Sequence, residues 1–125
     1  MHFKAIGLAV VTALALSIPA LGHHSHANYE QSEFIEMDGI VTQVMWMNPH
    51  VWLYLEVEKE DGTASVWALE GGSVGALTRG GWQQDSISVG EEIHVRCHHL
   101  KDGSDGCLMG YLSTPDGRID DKEFD

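Results

Sequence analysis

The stretch VWLYLEVEKEDGTASVWALE, residues 51–70, leaves the chain few folds to adopt. Val51, Leu53, Leu55 and Val57 fall on one face of an extended strand, and Trp52, Tyr54, Glu56 and Glu58 on the other. A period of two cannot serve a helix, whose apolar side recurs every three to four residues. Asp61-Gly62 then supplies a hairpin turn, because glycine accepts positive φ without a steric penalty, and ASVWALE returns as the next strand.

The same logic runs through the rest of the chain. In DGIVTQVMW, alternation puts Ile40, Val44 and Trp46 on one face with Thr42 between them, and Val41, Gln43 and Met45 on the other. Asn48-Pro49-His50 reads as a turn, since Asn-Pro initiates turns and proline cannot donate to a central ladder. EIHVRCHH sets Ile93, Val95 and Cys97 against His94, Arg96 and His98, and CLMGYLS follows after the turn KDGSDG. One stretch is helical: Ser73 caps a short segment reaching Arg79, and Gly80-Gly81 ends it. The predicted fold is mainly β, a small five-stranded OB-like barrel with one short helix between strands 3 and 4. Closing the sheet also removes the exposed edges of a flat one. The barrel is assigned to residues 34–115, preceded by a histidine-containing arm, 23–33, and followed by an acidic tail, 116–125, read as a solvated or frayed end.

Residues 1–22 read as an export signal. Lys4 is the positive start, residues 5–16 form the apolar run, Pro19 breaks it, and Ala20-Leu21-Gly22 offers small residues for cleavage. The run is shorter than the roughly 20 residues a spanning helix needs. The expected destination is the periplasm or the exterior, with no stable membrane insertion after cleavage. Seven Lys and Arg against nineteen Asp and Glu give a net charge of −12, so nucleic acid is a poor partner. In an oxidising compartment Cys97 and Cys107 are expected to form a disulfide across the KDGSDG turn. A zinc site combining them with His94, His98 and His99 is the rival.

Several landmarks together resemble a family of small exported bacterial proteins of unestablished function. HHSH at 23–26 is similar to that family's Ala-His-His-Ser-Phe start, and the core Trp46-x-Asn48-Pro49-His50-x-Trp52 to its most specific motif. WALEGGSVGALTRGGW at 67–82, KDGS at 101–104 and PDGR at 115–118 match further segments. The resemblance implies an exported small β domain and brings no activity with it. His26, where the family has an aromatic residue, and the cysteine pair depart from it.

The chemistry concentrates at the arm. Cleavage after Gly22 makes His23 the first residue, so its α-amine and imidazole form a bidentate nitrogen clamp that His24 or His26 completes. Cleavage one residue later leaves His24-Ser25-His26, with histidine third, a square-planar copper arrangement. Cleavage after Ala27 discards all three. Nitrogen-rich sites favour Cu(II), so copper is the expected ion, with His50 as a further donor. The bland alternatives are a polar arm and a His50 that hydrogen-bonds the Asn-Pro turn. A second functional class is a non-metal binding module whose face is Trp46, Asn48 and Trp52, with an envelope protein or a small ligand such as a sugar or peptide as partner. Core packing is the simpler role for the tryptophans, Trp67 and Trp82 included. No catalytic motif stands out, and Glu70 beside Gly71-Gly72 reads as a buried carboxylate that alone supports no mechanism. The chain is therefore expected not to be an enzyme; oxidative chemistry at a leading histidine is the one route to one.

Overall fold

The computed structural model describes residues 26–125. Seven regular elements follow a short 3-10 turn at His26–Asn28: β1 (Ile35–Met45), β2 (Trp52–Glu58), β3 (Ala64–Glu70), α1 (Val74–Arg79), β4 (Glu92–His99), β5 (Gly106–Ser113) and β6 (Lys122–Glu123). Strand β1 pairs antiparallel with β2 on one side and β4 on the other; β2 pairs with β3 and β4 with β5. A parallel pairing of β3 with β5, from Ala68↔Gly106 to Glu70↔Leu108, closes the barrel. This is the five-stranded OB-type order anticipated from the sequence, with its short helix between β3 and β4. Among the described residues no helix is long and apolar enough to cross a membrane.

The inward faces fill the barrel. Leu53 and Leu55 of β2, Leu69 of β3, Ile93 and Val95 of β4 and Leu112 of β5 are all fully buried. In β1 the expected grouping is wrong at its start: Ile40 is 43% exposed while Val41 is 1% exposed. The pairing passes from Val41↔Leu55 to Gln43↔Tyr54, so one extra residue bulges at this point. A single inserted residue reverses which face the alternation serves. Val41 therefore points inward before the bulge, and Val44 and Trp46 pack against the core after it.

Helix α1 is capped from two directions. Ser73 Oγ accepts a hydrogen bond from the Ala76 amide at 3.1 Å, and Asn48 Oδ1 accepts one from the Val74 amide at 3.0 Å. Its one buried residue, Leu77, joins the core.

The last ten residues are not a frayed end. Their acidic side chains do lie in water, but Ile119 and Phe124 are buried and β6 pairs with β5. Phe124 is 1% exposed and meets the Trp82 ring edge-on at a centroid distance of 4.8 Å. Its amide donates to Gly110 and its carbonyl accepts from Gly72, while Trp82 Nε1 donates to the Glu123 carbonyl at 2.7 Å. Charge counting along the sequence weighs the aspartates and misses the two apolar residues that carry the docking.

Cys97 and Cys107 form a disulfide between β4 and β5, both fully buried. With no thiolate left, the zinc alternative built on them is ruled out.

Candidate functional site

The arm before β1 is tied down by backbone pairing. Tyr29 forms an antiparallel bridge with Leu100, the Glu30 amide donates to the His99 carbonyl at 2.8 Å, and the Lys101 amide donates to the Asn28 carbonyl at 2.9 Å. That pairing fixes where the Tyr29 side chain goes. Its hydroxyl donates to Glu70 Oε2 at 2.6 Å. Glu70 ends β3 opposite Trp52 of β2 and Leu108 of β5, and it is only 7% exposed. Burial, then the hydrogen bond to Glu70 and that carboxylate's charge, push the Tyr29 phenol above its ordinary range. Tyr29 is thereby kept as an O–H donor.

His50 completes the group from the opposite side. It precedes β2, and its Nδ1 lies 2.9 Å from the Gly71 carbonyl oxygen. A carbonyl only accepts, so Nδ1 carries the proton and donates. The other ring nitrogen, Nε2, faces Glu70 Oε1 at 3.6 Å. This differs from the expected bond to the Asn-Pro turn: the imidazole anchors on the chain just after β3. The His26 ring stands 6.2 Å from the His50 ring and 6.4 Å from that of Tyr29, centroid to centroid. Metal-ligating histidines commonly donate their other ring N–H to a backbone carbonyl in this way.

The fold thus brings His26 and His50 together, with Glu70 and Tyr29 beside them. His23 and His24 lie outside the described residues. Among the described residues no three His, Cys, Asp or Glu side chains come close enough to hold a metal ion by themselves. A metal centre here needs at least one donor from the arm beyond them.

The other residues singled out have structural work. Asn48 caps α1, Trp46 and Trp67 pack against the core, and Trp82 is buried within it. Trp52 is half-buried between Met45 and Glu70 in the strand register. On β4, His94 sits 2.8 Å from Asp38 and 3.5 Å from Glu36, and His99 lies 3.1 Å from Glu33. His98 stacks on Phe34 at 4.2 Å and donates to the Glu33 carbonyl at 2.6 Å. Tyr29 escaped notice in the sequence because NYEQSEF reads as a polar lead-in, and Tyr29 lies six residues before β1. Glu70 was visible as a buried carboxylate, but its partners are 20 and 41 positions away in the chain.

Residues 10–109 match a family described as a family of unknown function (DUF6152), a span that includes the Trp46-x-Asn48-Pro49-His50 segment and the whole of the arm. No curated protein and no solved structure matches the chain at a significant level.

Proposed function

The chain belongs to the DUF6152 family, whose function is not established, and from that premise we propose that it is an exported barrel binding one transition-metal ion, copper favoured, at the histidines of its amino-terminal arm. The leader is removed after Gly22, so that the His23 amine and imidazole, His24 and His26 supply nitrogen donors from the arm and His50 supplies one from the barrel. The observation that carries this is the placement of His26 against His50 by a pinned arm. Two imidazoles sharing one ion at ordinary metal–nitrogen distances have centroids about 4.5–6.4 Å apart as the angle at the ion opens from 90° to 180°, and these two stand at 6.2 Å, at the open end of that range. All-nitrogen donor sets rank Cu(II) first, and export places the protein where copper is handled.

The test is a Cu(II) competition titration of the protein recovered after export, of the same protein carrying one extra leading glycine, and of His50→Ala. Stoichiometric binding by the first, weakened about tenfold or more in the other two, is expected. Equal affinity with and without the extra glycine removes the amino-terminal clamp. An intact mass placing the first residue at Asn28 removes the site altogether.

A further inference from the structure

We propose that the barrel binds an extended, alternately basic and apolar segment of a partner protein, which adds as a strand to the unpaired first half of β1. Strand β1 is shared unevenly by its neighbours. Its residues from Ile35 to Ile40 pair with β4, but pairing with β2 begins only at Ile40↔Glu56. At the far end of β2, Val57 and Glu58 pair with β3 alone. The two strands part at Gly39, where a Cβ would sit 2.5 Å from the Glu56 carbonyl oxygen and 2.6 Å from Leu55 Cγ. Glycine is what lets β1 pass that close to β2 before it bends away. The wedge between them has a volume of about 650 Å³. It lies at the end of β2 remote from His50, so it does not depend on the metal site.

Alternation decides which main-chain groups face the wedge. Val41 donates to the Glu91 carbonyl and accepts from the Gly90 amide, so its polar groups face the β4 side. Along a strand, groups two residues apart point the same way and neighbours point oppositely. Met37 and Gly39 therefore serve β4, while Glu36 and Asp38 turn their N–H and C=O to the wedge. On the other wall the Lys59 amide bonds back to Thr63 of the hairpin, which leaves Glu58 facing the wedge. Among the described residues no strand pairs with either wall there. An open edge of this kind is a template for strand addition.

Charge chooses the occupant. The wedge carries the carboxylates of Glu36, Asp38, Glu56, Glu58 and Glu92, and no lysine or arginine lines it. His94 answers Asp38 and Glu36. Among the described residues no cation lies within ion-pair distance of Glu56, Glu58 or Glu92. Met37 and Val57, half-buried against the core, form the apolar floor between the acidic positions. A strand laid here sets every second side chain beside carboxylates and the others over that floor. The matching sequence alternates lysine or arginine with apolar residues. A net charge of −12 repels a second copy of this chain and draws a basic segment in.

The experiment titrates the 15N-labelled, metal-free protein with an acetylated and amidated octapeptide of alternating lysine and valine, read by amide shifts. The controls are the same composition in block order and the alternating peptide N-methylated at its lysines or at its valines. Saturable binding that moves the Glu36, Asp38 and Glu58 amides is expected. At least one methylated form should bind about tenfold or more weakly, because it has lost the main-chain donors of the ladder. The block peptide and the Glu56→Gln, Glu58→Gln, Glu92→Gln triple variant should each weaken binding about threefold or more. The peptide series needs no substituted protein, so a misfolded variant does not decide the outcome. Equal affinity for all the peptides reduces the interaction to unspecific charge attraction and overturns the proposal. Absence of saturable shifts, or shifts confined to other strands, also overturns it. So does movement of the same amides on dilution of the protein alone, which would seat a second copy in the wedge.

Discussion

Phe124 follows a strand of only two residues and sits among exposed acidic side chains, yet Phe124→Ala is expected to cost several kcal/mol. The ring is 1% exposed, so the whole side chain is withdrawn from water. Full burial of a phenylalanine stabilises by about 1.5–3 kcal/mol, and an edge-to-face partner such as Trp82 at 4.8 Å adds about 0.5–1.5 kcal/mol. A two-residue edge strand such as β6 relaxes more easily than a central strand, which favours the lower half of the 3–5 kcal/mol range seen for Phe→Ala in cores. We expect about 3 kcal/mol. The assay is equilibrium urea unfolding followed by tryptophan fluorescence, with Glu123→Ala as control because that residue contributes only its backbone carbonyl to Trp82. Gly71→Ala gives a cross-check. A Cβ there would sit 2.8 Å from two Phe124 ring carbons and 3.0 Å from its carbonyl oxygen. Its cost is expected to shrink when Phe124 is already alanine, since the ring clash is gone. If Phe124→Ala lowers stability by less than about 1 kcal/mol with unchanged m-value, the carboxyl-terminal segment is not part of the core and its assignment here is refuted.

Three further outcomes are expected. Cys97→Ser with Cys107→Ser opens a loop of sequence separation 10 and is expected to lose about 2–3 kcal/mol on the chain-entropy model; denaturant midpoints of the oxidised protein and the double variant measure it. Asn48→Ala removes the acceptor for the Val74 amide and is expected to cost about 1 kcal/mol, read by thermal melting, with copper affinity unchanged. His94 is a pH-dependent contributor. Burial opposes its charge, but hydrogen bonds to Asp38 and Glu36 and their charges outweigh that and raise its pKa. A raised folded value means the stabilisation is complete below the unfolded value, about 6.5, and is lost as pH rises through the folded one. His94→Gln is therefore expected to destabilise at about pH 5.5, by about 0.5 kcal/mol or less given its solvent exposure, and to be neutral at about pH 8.5, as paired unfolding curves will show.

How far the sequence reaches depends on how local each signal is. Val51 to Val57 alternate and are paired by an Asp-Gly turn, and Ser73 precedes a helix that ends at Gly80; both were legible because neighbours in the chain decide them. The β1 bulge was not legible, because a strand shows its extra residue only against a partner: Gln43 and Tyr54 must be placed opposite each other before Thr42 is seen to be surplus. The cysteine pair lay between, since ten residues and a turn suggest a bridge that the β4–β5 pairing completes.

Short-range rules of alternation, turn chemistry and capping are written into neighbouring residues, so the sequence by itself determined five strands, one helix and their order. Juxtapositions across the barrel are not so written. Tyr29 meets Glu70 only because the arm pairs with the end of β4 while β3 closes on β5, and His50 reaches Gly71 only because β2 lies beside β3. Each of those contacts needs several pairings at once, and the free energy that fixes them comes from burying the whole core rather than from any one segment. The candidate site therefore belongs to the tertiary structure, as does the conversion of an acidic chain end into a packed strand by two apolar side chains.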